Sequence, residues 1–365
     1  MQVDMPTVFQ SNLGFENTFA NKRILVTGHT GFTGGWLCLW LSMLGAKVYG
    51  ISLEPNTNPS LFNALDIGSL TTSYLGNINH LHEVKNIFED AQPEIVYHLA
   101  AQPLVKQAYD NPLESFMTNI MGTANVLEVA RSNPNTKAVV CVTTDKVYKD
   151  KCWTQSYQEK DELGGKDPYS ASKSAAEMVA YAYQATLSER GNNVAIGTAR
   201  GGNIIGGGDW SSDRIVPDFV RAHSKKIPLT LRNPNAVRPW QHVISLCHGY
   251  LMLADGLLNH GEKFAEPFNF GPVKEDIKTV GELVNALNEN WPGVELNFEE
   301  GNFHETHFLS VDSSKSNTQL GWQPPIRFVD TVHMTAHWYK VFSQSPSKIK
   351  KLCMAQINDY REKLL

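Results

Sequence analysis

From Arg23 onward, short runs of β-branched and other apolar residues alternate with longer segments of helical periodicity. That alternation builds a parallel sheet with helices on both faces. It predicts strands at 23–27, 47–51, 72–75, 95–99, 138–142 and 194–198, several of them apolar throughout, as strands covered on both faces are. Helices are predicted at 35–44, 80–89, 113–131 and 170–188, the last long enough to cross the sheet. Trp36 and Trp40, at helical spacing, are predicted core residues. Six strands connected in this way predict an α/β fold, a Rossmann-type doubly wound parallel sheet. After Arg200 the texture changes: 201–210 is glycine-rich, and beyond it the segments are shorter, more aromatic and richer in proline, which predicts a smaller C-terminal lobe. The chain thus divides into an extension over 1–21, a dinucleotide-binding domain over 22–200, a substrate-binding lobe over 201–345 with room for the chain to return to the first domain, and a polar tail over 346–365.

Composition agrees with a folded protein. The chain has 365 residues, 42% hydrophobic and 19% charged, enough to bury a continuous core. Lys+Arg 32 against Asp+Glu 37 leaves a net charge of -5 with no block of like charge, so the electrostatic footprint of a nucleic-acid or anionic-membrane binder is missing. A local basic site for a small phosphate stays open. The longest clearly apolar stretch, 36–41, falls far short of the roughly 20 residues a membrane span needs, and the first 20 residues are mixed rather than signal-like, so a cytoplasmic location is expected. Cys38, Cys141, Cys152, Cys247 and Cys353 are odd in number and lack metal-type spacing, as expected of reduced structural thiols.

Three groups of residues carry chemistry. Gly28, Gly31 and Gly34 form G-x-x-G-x-x-G between the first strand and the first helix, where glycines allow a tight turn and backbone amides approach a pyrophosphate at the helix N-terminus. A glycine triplet alone is also an ordinary strand-to-helix turn. Glu54 lies 20 residues past Gly34, where an acid takes ribose hydroxyls and repels a 2′-phosphate, which favours NAD over NADP; Ser52 could fill the same place. Tyr169 and Lys173 are at i, i+4 on one predicted helix, and a lysine cation beside a phenol lowers its pKa from about 10. Thr143, Thr144, Asp145 and Lys146 come directly after an apolar strand, so they stand at its carboxyl end, where ligands bind in such sheets. His304 and His307 are spaced i, i+3 without the H-E-x-x-H frame, and no metal is expected.

Taken together, in this order and spacing, the motifs resemble the extended short-chain dehydrogenase/reductase family that works on nucleotide sugars. The segments His29-Thr30-Gly31-Phe32-Thr33-Gly34-Gly35-Trp36-Leu37, Thr144-Asp145-Lys146-Val147-Tyr148, 201–210, 213–217 and 238–243 narrow the resemblance, over about 15–322, to the hexose 4,6-dehydratases, and within them to the CDP-glucose branch, which carries Thr-Asp-Lys where the others carry Thr-Asp-Glu. The resemblance implies an NAD-dependent hydro-lyase making a 4-keto-6-deoxy sugar for deoxysugar and O-antigen-type lipopolysaccharide biosynthesis. It implies too that the NAD is held tightly and regenerated each turnover. The resemblance also implies a homodimer or higher homo-oligomer, since the family pairs two long helices between subunits, for which 113–131 and 170–188 are the candidates.

By the same resemblance, Tyr169 with Lys173 deprotonates the C4 hydroxyl, Thr144 holds it, Lys146 takes the C5 proton and Asp145 protonates the departing C6 hydroxyl. Gly28, Thr30, Gly31, Phe32, Gly34, Glu54, Asn77, Ile78, Leu99, Ala100, Ala101, Asn119 and Thr143 lie along the cofactor with Tyr169 and Lys173. Asn77-Ile78 stands where many relatives have Asp-Ile for the adenine. Gln102, Asn203, Arg214, Arg238 and His304 face the nucleotide sugar. An epimerase or reductase of the superfamily would keep Tyr169 and Lys173 but have no use for Asp145 and Lys146 as an elimination pair, and a non-catalytic binding protein on this scaffold typically loses the tyrosine or the lysine. A lysine base must be neutral and an aspartic acid donor protonated, against their mutual attraction; burial in a closed pocket would move both groups that way.

Overall fold

Successive side chains of a strand point to opposite faces of a sheet, and this sequence fills both faces. In the computed structural model, which describes residues 15–298 and 308–365, β1 (Arg23–Thr27), β4 (Ile95–His98) and β5 (Ala138–Val142) send alternate residues into two separate cores. Ile24, Val26, Ile95, Tyr97, Ala138 and Val140 pack on one side with α1 (Phe32–Met43) and α6 (Val243–His260). Leu25, Val96, Val139 and Cys141 pack on the other with α2 (Leu81–Ala91), α3 (Thr123–Ser132) and α4 (Pro168–Glu189). The sheet is completed by β2 (Lys47–Ser52), β3 (Thr72–Leu75), β6 (Ala195–Gly201) and β7 (Pro267–Phe270). Its order is β7-β6-β5-β4-β1-β2-β3, with every pairing parallel. The chain winds outward from β1 to β3, then crosses back to β4 on the other side of β1. The loops after β1 and β4 therefore diverge and leave a crevice at the carboxyl ends of these two strands.

The doubly wound sheet agrees with the sequence, with differences that have physical causes. The sheet has seven strands rather than six, because β7 returns from the second half of the chain to cover the edge of β6. β6 runs on through Arg200 and Gly201, past the predicted end at 198, with the Arg200 charge neutralised inside the protein by Glu177. α1 begins at Phe32 rather than Gly35, so Gly34 lies in its first turn, where a Cβ would strike the Gly28 carbonyl. The helix predicted over 113–131 is interrupted by a π-turn, Met117–Gly122, between Pro112–Phe116 and α3. Near the N-terminus, Phe15 and Phe19 are buried in the larger core, and Thr18 donates to Asp255 at 2.6 Å. The last residues, read as a polar tail, form α8 (Ile349–Glu362) behind α7 (Phe328–Gln344), with Ile349, Cys353, Ile357 and Tyr360 buried. Trp36 and Trp40 are core residues, as predicted. All five cysteines are free thiols, and Cys152 alone of them is exposed.

Candidate active site

The turn after β1 is made by backbone alone. Gly28 has φ of 77°, and a Cβ there would stand 2.9 Å from the Ala100 nitrogen; a Cβ on Gly34 would stand 2.2 Å from the Gly28 carbonyl oxygen. Gly31 is the N-cap of α1 and no side chain caps the first turn, so its amides are available to an anion, as a dinucleotide pyrophosphate requires. Phe32 opens the helix against Gly206. Thr30 donates to the Leu53 carbonyl at 2.9 Å and shares a 2.7 Å hydrogen bond with Ser52, which ties the turn to the end of β2. Glu54 is exposed two residues further on.

A chain of hydrogen bonds runs from this turn to the helix that carries the phenol. The Ala100 amide donates to Thr27 Oγ1 (3.0 Å), leaving that hydroxyl to donate to His98 Nδ1 (2.8 Å). Burial holds His98 neutral, with its pKa down to about 3, so its Nε2–H donates to Thr123 Oγ1 (2.9 Å), which donates to the Asn119 carbonyl (2.7 Å). Asn119, turned inward by the π-turn, has its oxygen and both amide protons engaged: Oδ1 accepts from Gln102 N, and Nδ2 donates to Gln102 O and to Ser172 Oγ. Ser172 in turn donates to the Tyr169 carbonyl (2.7 Å). Gln102, expected to face substrate, instead closes its own loop, with both ends of its side-chain amide bonded to the Leu104 backbone. Leu99, Ala100 and Ala101 are half-buried beside it. Asn77 Oδ1 accepts from Asn79 N, and Ile78 is buried against Gly122.

At the end of β5, Thr143 is fixed from behind: its hydroxyl donates to Glu177, which also accepts from Thr198 Oγ1 and Arg200 Nη2 at 2.8 Å each. Thr144 caps a short turn, Asp145–Val147, accepting from Lys146 N. Its hydroxyl donates to Asp145 Oδ1 at 2.9 Å and also hydrogen-bonds the Tyr169 phenol. Asp145 is 1% exposed and its Oδ2 has no hydrogen-bond partner. Burial raises the Asp145 pKa, outweighing Lys146, Thr144 and Arg238, which lower it. The expectation that burial favours the protonated acid thus agrees with the structure, while Lys146 itself is half-buried.

α4 is capped at its start by Asp167, whose carboxylate accepts from Ser170 N (3.0 Å), and Pro168 sits in its first turn. Tyr169, Lys173 and Glu177 then succeed one another at four-residue spacing on one face. The expected lowering of the Tyr169 pKa by Lys173 does not hold. Burial pushes the phenol up to about 12, against the Thr144 bond and the Arg214 charge, which pull it down. The Lys173 ammonium donates to the Val142 carbonyl at 2.9 Å, and burial brings its pKa down to about 8 although Glu177 raises it. Arg214 bonds Asp209 (3.2 Å) at the start of α5 (Ile215–Lys225), and Arg238 is buried with its charge acting on Asp145. Asn203 adopts φ of 49° and its carbonyl accepts from Gln241 N. His304 lies outside the described residues. Glu177 and Arg200 belong to none of the motifs legible in the sequence, while Ser172 and Gly202 lie inside motifs that gave them no role; of these four, Glu177 carries a usable signal, one turn beyond Lys173.

Asp145 carries a testable stability signature. Because its folded pKa is raised above the unfolded value near about 3.9, its contribution to stability is full below that value and is lost as pH rises through the folded pKa. Asp145→Asn removes the titration at nearly constant shape, so it is expected to raise Tm by a few degrees at pH 8, a gap that narrows as pH falls. Melting curves across pH check this; a variant less stable than the parent at pH 8 contradicts it.

The family described as GDP-mannose 4,6 dehydratase matches residues 25–335. The chain is 40% identical over 353 residues to the CDP-glucose 4,6-dehydratase of Salmonella typhimurium, covering 94% of this chain and 98% of that one. It is 27% identical over 351 residues to the dTDP-glucose 4,6-dehydratase of Haemophilus influenzae, covering 89% and 99%. Among solved structures, the UDP-glucose 4-epimerase of Thermotoga maritima with UDP-glucose superposes with a TM-score of 0.75 at 21% identity over 87% of this chain and 98% of that one. MoeE5 in complex with UDP-glucose and NAD gives 0.74 at 21% over 88% and 99%. At that identity the two structures speak for the fold.

Proposed function

We propose that this chain, which belongs to the GDP-mannose 4,6-dehydratase family, is the NAD-dependent hydro-lyase that converts CDP-D-glucose into CDP-4-keto-6-deoxy-D-glucose. The observation that carries the reading is the strand-end pair: a dry Asp145 and its neighbour Lys146, set beside the phenol that Thr144 bonds. The 40% identical relative supports the cytidine nucleotide.

When bound, NAD would supply the acceptor for the C4 hydride and its source for C6. The uncapped start of α1 and the side-chain-free surface at Gly28, Gly31 and Gly34 suit its pyrophosphate, with Thr30, Phe32, Asn77, Ile78, the 99–101 loop, Asn119 and Thr143 placed along it and Ser52 or Glu54 toward a ribose. Tyr169 accepts the C4 hydroxyl proton, and the Arg214 charge favours its phenolate. The 4-ketone acidifies the C5 proton, which Lys146 removes. Asp145, whose protonated form burial favours, gives its proton to the C6 hydroxyl, which leaves as water. Lys146 then returns a proton to C5, and the proton taken up at Tyr169 makes good the one given by Asp145, so the balance is loss of one water with the cofactor unchanged. Asn203, Arg214 and Arg238 provide the polar groups and cations for the nucleotide sugar.

The protein works as a homodimer or higher homo-oligomer. In support, Tyr109, Leu113, Met117, Met121, Met178 and Tyr181 are exposed on the helical segments 105–132 and 168–189, a face that a second copy would cover. Among the described residues no helix is long and apolar enough to cross a membrane, and the reading places the reaction in the cytoplasm, feeding deoxysugar and lipopolysaccharide synthesis.

The direct test is incubation with CDP-, dTDP-, UDP- and GDP-hexoses and then mass spectrometry. Loss of one water from CDP-glucose without consumption of added NAD is the expected result. Water loss from another nucleotide sugar alone overturns the base; stoichiometric reduction of NAD overturns the reaction.

A further inference from the structure

Gly202 comes directly after the end of β6 and lies against the Asp145 carboxyl. A Cβ on residue 202 would stand 2.0 Å from Asp145 Oδ2, 2.1 Å from Cγ and 2.3 Å from Oδ1. These three atoms are its nearest neighbours, so the Asp145 carboxyl is the first group that a side chain at 202 would meet. The backbone gives no other reason for glycine here, because the left-handed φ of this turn falls on Asn203 (49°) and Gly202 is outside that region. Its neighbour Gly201 is different in kind: a Cβ there would press on Leu246 and the Phe270 carbonyl, within the packing between sheet and α6.

The position of Gly202 is fixed. Its carbonyl accepts from Gln241 Nε2 (3.3 Å), which also donates to the Phe270 carbonyl (2.8 Å), so one buried amide ties the turn after β6 to the end of β7. The carboxyl of Asp145 is thus confined between the Thr144 hydroxyl, bonded to Oδ1, and the bare backbone of Gly202, beside which Oδ2 stays without a hydrogen-bond partner and out of water. A methyl group here would force the carboxyl to rotate about its Cα–Cβ bond, because the short side chain cannot yield by bending, and the Thr144 bond would be lost with it.

We propose that Gly202 is a positioning residue for the elimination half-reaction: the side chain it lacks is the space that holds the Asp145 carboxyl in place. This rests on the reading of Asp145 as the acid. The two can fail separately.

The test is a double-mutant cycle of Gly202→Ala and Asp145→Ala on the full-length protein with CDP-glucose and NAD, monitoring reduced cofactor and water loss in a single turnover. Gly202→Ala is expected to fold, with Tm within a few degrees of the parent, to oxidise C4 and to dehydrate about 10²- to 10⁴-fold more slowly. Adding it to Asp145→Ala is expected to change the residual rate less than about twofold, since its effect runs through a carboxyl no longer there. Equal and additive losses in both backgrounds would overturn the inference, because Gly202 would then act on the substrate. Near-parental dehydration by Gly202→Ala would also overturn it. If Asp145→Ala itself dehydrates normally, the assignment of the acid fails, and the loss in Gly202→Ala, if any, has another cause. A Gly202→Ala protein that does not fold, while the double variant does, would show the same steric conflict as stability and support the inference.

Discussion

Lys146→Ala is expected to yield a protein that oxidises its substrate and then stops. C4 oxidation uses Tyr169, while removal of the C5 proton uses Lys146, so losing the lysine separates the two halves of the reaction. Reduced cofactor and a 4-keto sugar with its C6 hydroxyl intact should accumulate on the protein, and water loss should slow by about 10²- to 10⁴-fold, the usual cost of losing a positioned base. With substrate deuterated at C4, the parent should deliver the deuterium to C6 and the variant should retain it on the cofactor. Normal dehydration by Lys146→Ala would move the base to another group, with Tyr169 the first to examine. Lys146 is half-buried at a turn whose cap is Thr144, so the fold should survive the change.

Tyr169→Phe should abolish the step before that one. The phenylalanine fills the same volume in a side chain that is 9% exposed, but it leaves no oxygen to take the C4 proton and none to bond Thr144. The expected loss is about 10³-fold or more in total turnover, with no reduced cofactor appearing at all, in contrast to Lys146→Ala. Because burial pushes the phenol up to about 12, turnover of the parent should rise with pH through the neutral and mildly alkaline range as the phenolate fraction grows. A Tyr169→Phe protein that still reduces its cofactor at the parental rate would make Tyr169 an ordinary helix residue.

Much of this is legible in the sequence because the chemistry is local in it. The glycine turn, Tyr169 with Lys173, and Thr144 to Lys146 each occupy one strand end or one helix turn, and strands apolar on both faces announce a doubly wound sheet. The features that escape a reading of the sequence are those the fold brings together from afar. β7 reads as Pro-Phe-Asn-Phe in an irregular region, and nothing in four residues says that they pair with Thr198 to Gly201. The inward turn of Asn119 comes from a π-turn that no residue type marks. Gly202 looks like one glycine among many until its space proves to be filled by Asp145. Lys173 lies on the face its spacing predicts, yet its ammonium meets the Val142 carbonyl, and burial rather than a neighbouring cation dominates the phenol.

The late arrival of β7 also sets an order of events at the ribosome. Every residue of β6 is buried in the finished protein, and its outer edge is covered by a strand translated well after it. Until Pro267–Phe270 has emerged, a nascent chain long enough to form the other six strands presents an apolar, unpaired edge with Arg200 already drawn inside it. Such an edge is a template for a neighbouring nascent chain on the same messenger. Synthesis of this protein is therefore a race between closing the sheet and joining another, and slowing translation between β6 and β7 lengthens the interval in which the wrong partner can win.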